Sequence, residues 1–203
     1  IPESCQGYHD IVAEDEGGRT ARARFTVKPK ISLDGSSGHV GDIIEVKGSG
    51  FPSKETDIKL RYYLDTNPHY GRDSSPYIEF PVTEVNSSGS WEQTFSVPAS
   101  IKGTHSIDAY YSDDEGTLSQ VSNDEARFEV QPTIILNPNS GCAGDAIAVN
   151  GAGFAQNESD IKLRYDGSEE LAQVNADEYG SWGPLSFTIP PCVKGSHVIE
   201  AFH

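Results

Sequence analysis

The chain has no methionine and three cysteines in 203 residues, and its 15 basic side chains are outnumbered by 31 acidic ones. A net charge of 15 − 31 = −16 leaves no cationic face for a phosphate backbone, which argues against nucleic acid as a partner. It argues equally against an anionic membrane surface. No apolar run approaches the roughly 18 residues that a spanning helix needs, so no membrane insertion is expected within this segment. Nor does any stretch hold apolar residues at a 3.6 period, so helix content is expected to be close to nil. No Ser-His-Asp or Cys-His arrangement is present, and the chain is not expected to be an enzyme. It opens Ile1-Pro2-Glu3 with no basic and apolar leader, and reads as a mature protein or as an excised piece of a longer one.

What is present is repetition. Ser37 to Phe51, SGHVGDIIEVKGSGF, returns as Ser140 to Phe154, SGCAGDAIAVNGAGF. Asp57-Ile58-Lys59-Leu60-Arg61-Tyr62 returns as Asp160 to Tyr165, at the same offset of 103 (151 − 48 and 160 − 57). Trp91 then matches Trp182 at an offset of 91 (182 − 91), so the first copy carries 103 − 91 = 12 extra residues, placed around Thr66 to Pro76. A third block, Gly103-Thr104-His105-Ser106-Ile107-Asp108-Ala109, matches both Gly195 to Ala201 and Gly7 to Ala13. Such self-similarity marks a repeat array. The expected division is residues 1–29, the last two strands of a preceding repeat; 30–131, one complete repeat; and 132–203, a repeat lacking its last strand.

Each repeat alternates apolar and polar residues with period two, as in Ile44-Glu45-Val46-Lys47 and Arg127-Phe128-Glu129-Val130, between turns rich in Gly, Pro, Asn and Ser. About seven short strands per ~100 residues predicts an all-β fold of tandem immunoglobulin-like β-sandwiches, incomplete at both ends. On the template of that fold, strand A lies near Ile31 to Leu33, B at Ile43 to Lys47 and C at Asp57 to Leu64. D follows at Tyr77 to Val85, E at Trp91 to Val97, F at His105 to Ser112 and G at Asp124 to Val130.

The line G-x-x-G-D-x-x-x-V-x-G-x-G-F, a later Gly-Ser-Trp turn, and V-P-x-x-x-x-G-x-H-x-I-x-A resemble the TIG-like immunoglobulin repeats of large prokaryotic, notably archaeal, surface proteins. The resemblance covers essentially the whole chain. It implies an extracellular, cell-surface location and a structural role in a surface layer, a stalk or a filament, with neighbouring copies or the rest of a longer chain as partners. Assembly by strand addition is one form this could take. The alternative is an adhesive or carbohydrate-binding module, suggested by the tyrosines Tyr62, Tyr63, Tyr70 and Tyr77 around the insertion. Exposed rings there would favour that alternative, and rings buried between domains the structural role.

Several residues are singled out for chemistry. His9, His105 and His197 share one repeat position, where an imidazole is expected to bond the E–F corner rather than a metal, because no further ligands recur with it. Glu14-Asp15-Glu16 and Asp113-Asp114-Glu115 fall at equivalent F–G turns. Hard cations want several oxygens from one short segment, so calcium is the one cofactor considered, although neither spacing matches an EF-hand. Asn86-Ser87-Ser88 and Asn157-Glu158-Ser159 are glycosylation sequons in loops. Cys142 in the A–B turn and Cys192 in the E–F turn should lie at the same end of their sandwich, and exterior redox conditions favour a bridge between them over free thiols. Cys5 is left without a partner. Between the two copies, Lys102, His39 and Arg72 are expected to face Glu158, Asp160 and Asp177.

Overall fold

A computed structural model of the chain describes residues 3–53, 57–66, 75–82, 84–112, 118–120, 126–167 and 169–202. Among the described residues every regular element is a strand, and no helix is long and apolar enough to cross a membrane.

The chain opens with a ribbon of β1 (Gly7–Glu14) and β2 (Thr20–Val27), antiparallel and in register from Gly7 opposite Val27 to Glu14 opposite Thr20. The first repeat stacks two sheets. One is β3 (Lys30–Leu33), β5 (Ile43–Ser49) and β8 (Trp91–Ser96), in that order. The other runs β4 (Ser37–Gly38), β11 (Ala126–Val130), β9 (Gly103–Ser112), β6 (Ile58–Tyr63) and β7 (Tyr77–Pro81), with β10 (Leu118–Gln120) also on β9. The second repeat matches it with β12 (Thr133–Asn137), β13 (Ala146–Ala152) and β16 (Trp182–Thr188) in one sheet. Its other sheet has β15 (Glu169–Val174), β14 (Ile161–Tyr165) and β17 (Ile199–Phe202).

The alternation read from sequence is the alternation of burial. Along β11, Ala126, Phe128 and Val130 point inward while Arg127 and Glu129 face out. Ile58, Leu60 and Tyr62 of β6 meet Val46, Ile107 and Phe128 in the core of the first repeat. Val149, Ile161 and Leu163 are the fully enclosed centre of the second.

One strand departs from the expected template. The D strand would pair with E, across the sandwich from C. Instead β7 pairs with β6, Tyr77 opposite Tyr63, and β15 pairs with β14 in the same way. In the second repeat the cause is local. Strand β14 turns back through Asp166 and Gly167, both at positive φ, so the following strand lies beside its predecessor.

Two glycines are set by a neighbouring ring. A Cβ on Gly48 would lie 2.0 Å from Cε2 of Trp91, and one on Gly151 2.0 Å from Cε2 of Trp182. The indole in each repeat lies directly on the backbone of the opposite strand, and the Phe of G-x-G-F packs near it, 5.2 Å away for Phe51 and 5.8 Å for Phe154.

Candidate functional site at the joint between repeats

The second glycine of G-x-G-F sits where one repeat meets the next. Gly50 and Gly153 have φ of 71° and 72°, and a Cβ on either would come within 2.7 Å of a linker carbonyl, that of Lys28 or of Gln131. The next residue, Phe51 or Phe154, gives its N–H to the carbonyl of Gly89 or Gly180 inside its own repeat, at 2.9 Å in both cases. Its own carbonyl accepts from the preceding repeat: Phe51 from Gln6 N–H at 3.2 Å, Phe154 from Lys102 N–H at 2.9 Å. Gln6 and Lys102 occupy the same position before G-x-H, so one backbone hydrogen bond is made twice, at both junctions.

The histidines explain how that donor is aimed. His9 Nε2 donates to the carbonyl of Cys5, His105 Nε2 to Ile101 and His197 Nε2 to Val193, each at 2.8 Å. The Cys5 carbonyl and the Gln6 N–H belong to one peptide unit, as do the Ile101 carbonyl and the Lys102 N–H. The imidazole therefore fixes one side of a planar group, and the other side reaches the next repeat. The expected role at the E–F corner is what the structure has, extended by one bond. In both complete corners the ring also stacks on a tyrosine, His105 on Tyr62 and His197 on Tyr165, with centroids 5.2 Å apart.

Of the side-chain contacts expected here, Lys102 to Glu158 is present at 3.4 Å, and Glu158 also accepts the N–H of Ala155. The rest differ. His39 turns inward to Asp42 of its own A–B turn, 3.3 Å away. The Asp160 carboxylate is taken by Ser159 and Gln173. Asp177 accepts the N–H groups of Tyr179 and Ser181 and closes its own turn. Short carboxylates satisfy donors of their own repeat before they reach across a junction. Arg72 lies outside the described residues. Sequence reasoning missed the backbone bond, whose only trace in the residues is the recurrence of glycine before phenylalanine.

Cys142 and Cys192 are exposed free thiols in this structure, with no bridge between them. Their loops are nonetheless tied together, since Gly144 N–H donates to the Ile189 carbonyl and Ile189 N–H to that of Asp145, both at 2.9 Å. Cys5 lies at the first junction, where its thiol donates to the carbonyl of Ser87 across the joint at 3.1 Å.

Asp15 uses its carboxylate on its own turn. It accepts the N–H groups of Gly17 and Arg19 and pairs with the Arg19 side chain at 2.7 Å, and these bonds, that of Arg19 N–H foremost, hold it below the usual carboxylate range. Glu14 ends β1 and Glu16 lies in the same turn, while Asp113, Asp114 and Glu115 fall outside the described residues. No group of three metal-ligating side chains occurs among the described residues. Both sequon asparagines are exposed turn residues. Asn86 accepts from Ser88 and Ser90 N–H as Asp177 does at the matching turn, and Asn157 has φ 52°.

The tyrosines around the insertion do not form an exposed platform. Tyr62 and Tyr63 are fully enclosed, and burial pushes the Tyr62 hydroxyl up to about 12. Tyr77 is 39% exposed with the Arg61 guanidinium 4.3 Å from its ring centre, and Tyr70 lies outside the described residues.

In the second repeat His197 has an additional partner. Its Nδ1 donates to the Asp166 carboxylate at 2.7 Å, which raises the imidazole above its ordinary value, helped by the bond to Val193. The same bond, with Val198 N–H, lowers Asp166.

No family model matches the chain, and no curated protein matches it. Among solved structures it is similar to a tetra-tandem repeat in the extending region of a large adhesion protein, at 16% identity over 97% of this chain and 52% of that one, TM-score 0.33. It is also similar to the adhesin InvE of Yersinia pseudotuberculosis, at 11% identity over 85% of this chain and 50% of that one, TM-score 0.35. Fibronectin(III)-like modules of Clostridium thermocellum CbhA give 13% identity, with 85% and 84% covered and a TM-score of 0.26. The chain thus spans about half the length of the first two. These superpositions are loose, and the immunoglobulin-like assignment rests on the strand pairing itself.

Proposed function

We propose that this chain is a structural segment of an extracellular array of immunoglobulin-like repeats, in a surface layer, stalk or filament, and that its work is to hold successive repeats at one repeated angle. The observation that carries this is the duplicated joint: the same peptide unit, held by the same histidine, donates to the same Phe carbonyl at both junctions. The linker between the repeats is short, only Gln131 and Pro132 between β11 and β12, and the proline stiffens it. The acidic surface keeps such an array soluble. An adhesive or carbohydrate-binding role has less support, because two of the four tyrosines that suggested it are enclosed.

The test is orientation in solution. Residual dipolar couplings from the two repeats should fit one common alignment tensor. Replacing Gly153 by Val, which puts a branched side chain against the Gln131 carbonyl, should split it in two. Independent tensors in the unmodified chain would refute a fixed joint.

A further inference from the structure

Three turns of the chain are closed by the same set of bonds. Asp15, Asn86 and Asp177 each accept, through one side-chain oxygen, the N–H groups two and four residues on, all at 2.9 Å. In each turn the first residue's own N–H donates to the carbonyl four residues on, at 3.0, 2.9 and 2.8 Å. The fourth residue is a glycine every time, Gly18, Gly89 or Gly180, at φ of 76°, 73° and 72°. The turn thus requires one acceptor oxygen and one glycine.

Two of the three turns meet the first requirement with a carboxylate, the stronger acceptor. Asn86 meets it with an amide, and so carries an Nδ2 that the turn does not use. Ser88 likewise adds a hydroxyl where the matching turns have Gly17 and Tyr179. Asn86 is exposed, and neither its Nδ2 nor the Ser88 hydroxyl makes a hydrogen bond among the described residues. These two spare groups are the ones that make Asn86-Ser87-Ser88 a sequon. Asn86 also lines a groove of about 780 Å³ together with Ser32, Lys47 and Glu92, so a bulky polar substituent has room and polar partners.

The other sequon is placed differently. The Ser159 hydroxyl donates to the Asp160 carboxylate at 3.2 Å, and Asn157 N–H donates to the Asp177 carbonyl at 2.9 Å. Glu158, between them, is held at the joint by Lys102 and by the N–H of Ala155. One of the two groups a sequon needs is therefore occupied, and the segment is pinned to its surroundings.

We propose that Asn86 is the acceptor of an N-linked glycan and that Asn157, in the folded chain, is not. The co-reactant is a sugar carried through C1 on a lipid-linked diphosphate. Asn86 Nδ2 bonds that C1 as the bond from C1 to the diphosphate oxygen breaks. The electron pair leaves with the diphosphate, and the amide gives up one proton. The oxygen that closes the turn takes no part, so the turn stays closed with the sugar in place. The glycan stands beside the first joint, where the Ser87 carbonyl accepts the Cys5 thiol, whereas the matching residue at the second joint, Asp177, has no amide to modify. This rests on the extracellular reading, because exported chains are the ones that meet such donors.

The experiment incubates the whole folded chain with a purified single-subunit oligosaccharyltransferase and a lipid-diphosphate oligosaccharide, then maps the product by mass. One glycan is expected, on the peptide that holds Asn86. Ser88→Ala should abolish it. Asn86→Asp should abolish it and leave the unfolding midpoint unchanged, since Asp177 closes the same turn. A synthetic peptide of residues 155–163 should be modified, because outside the fold the Ser159 hydroxyl is released. No glycan on Asn86, or as much on Asn157, overturns the proposal. Refusal of the peptide overturns its second half, because local sequence rather than the fold would then reject Asn157. A lower midpoint in Asn86→Asp would mean that the turn needs the amide, and overturns the argument that Nδ2 is spare. Enzyme and donor are both supplied, so a failure falls on the site and leaves the extracellular reading as it stood.

Discussion

His105 and His197 occupy one repeat position and do one job, yet their surroundings differ. His105 is fully buried, with Nδ1 toward the Tyr63 carbonyl at 2.9 Å and Nε2 toward that of Ile101. His197 keeps the corner bond and the tyrosine stack, but at the position of Tyr63 stands Asp166, and the carboxylate replaces the carbonyl as partner. The first repeat closes its corner with the chain's own backbone under a complete sheet. The second uses a charge pair in contact with water. The corner that aims the joint is therefore built to one plan and held by different forces.

Replacing Phe128 by Ala should break the comparison most severely. The ring is enclosed, and deletion of a buried aromatic costs about 3–5 kcal/mol. The same change at Phe25, 41% exposed on the ribbon, should cost about 0.5 kcal/mol or less. Chemical denaturation followed by separate reporters in each repeat measures both. Similar losses at the two positions would mean that the face of the ribbon is covered in solution.

Oxidation should sharpen the difference between the repeats next. A bridge between Cys142 and Cys192, whose loops are already hydrogen-bonded together, is proposed for the oxidised protein. It closes a loop of 192 − 142 = 50 residues and would stabilise the second repeat alone by about 4 kcal/mol in the chain-entropy model. The first repeat has His39 and Ser100 at those positions and should be indifferent. Non-reducing peptide mapping should find the two cysteines linked, and recovery of both as alkylated thiols after oxidation would sink the pairing.

How far the residues announced this arrangement depends on which part is considered. The sandwich was legible because burial on one face of a strand imposes period two, and Ile58-Lys59-Leu60-Arg61-Tyr62 displays it openly. The corner histidines were legible as structural because nothing recurred beside them to bind a metal. The pairing of β7 with β6 was not, since Tyr77 to Pro81 alternates equally well on either neighbour. The joint was hidden for a deeper reason. A peptide N–H meeting a peptide carbonyl leaves no mark in side-chain identity, and only the intolerance of Gly50 and Gly153 for a Cβ betrays it.

The pH dependence of the two repeats should differ by a smaller amount. His197 is raised by its bond to Asp166, so its contribution is fully present below about 6.5, the unfolded value, and is lost as pH rises through the raised folded value. Asp166 is lowered, so its contribution is present above about 3.9 and fades as pH falls through the lowered folded value. The pair therefore supports the second repeat fully between about pH 4 and 6.5. The midpoint of that repeat's unfolding should fall on the alkaline side of the window, and Asp166→Asn should flatten the change. An unaltered profile in the variant would mean that the pair contributes nothing.

The smallest effect is expected at the joint itself, from Lys102→Ala. The side chain reaches Glu158 at 3.4 Å and is half exposed, and such pairs contribute about 1 kcal/mol or less. The alanine keeps the backbone N–H that donates to the Phe154 carbonyl, and His105 still fixes the other side of that peptide. The first junction already makes the same bond with Gln6, which carries no charge. Residual dipolar couplings of Lys102→Ala should therefore still fit one tensor, with only a weak loss of salt sensitivity. Lys102→Pro removes the N–H and should free the joint while Lys102→Ala leaves it fixed. If the alanine variant loosened the joint as much as the proline one, the ion pair rather than the peptide would be what holds the repeats at their angle.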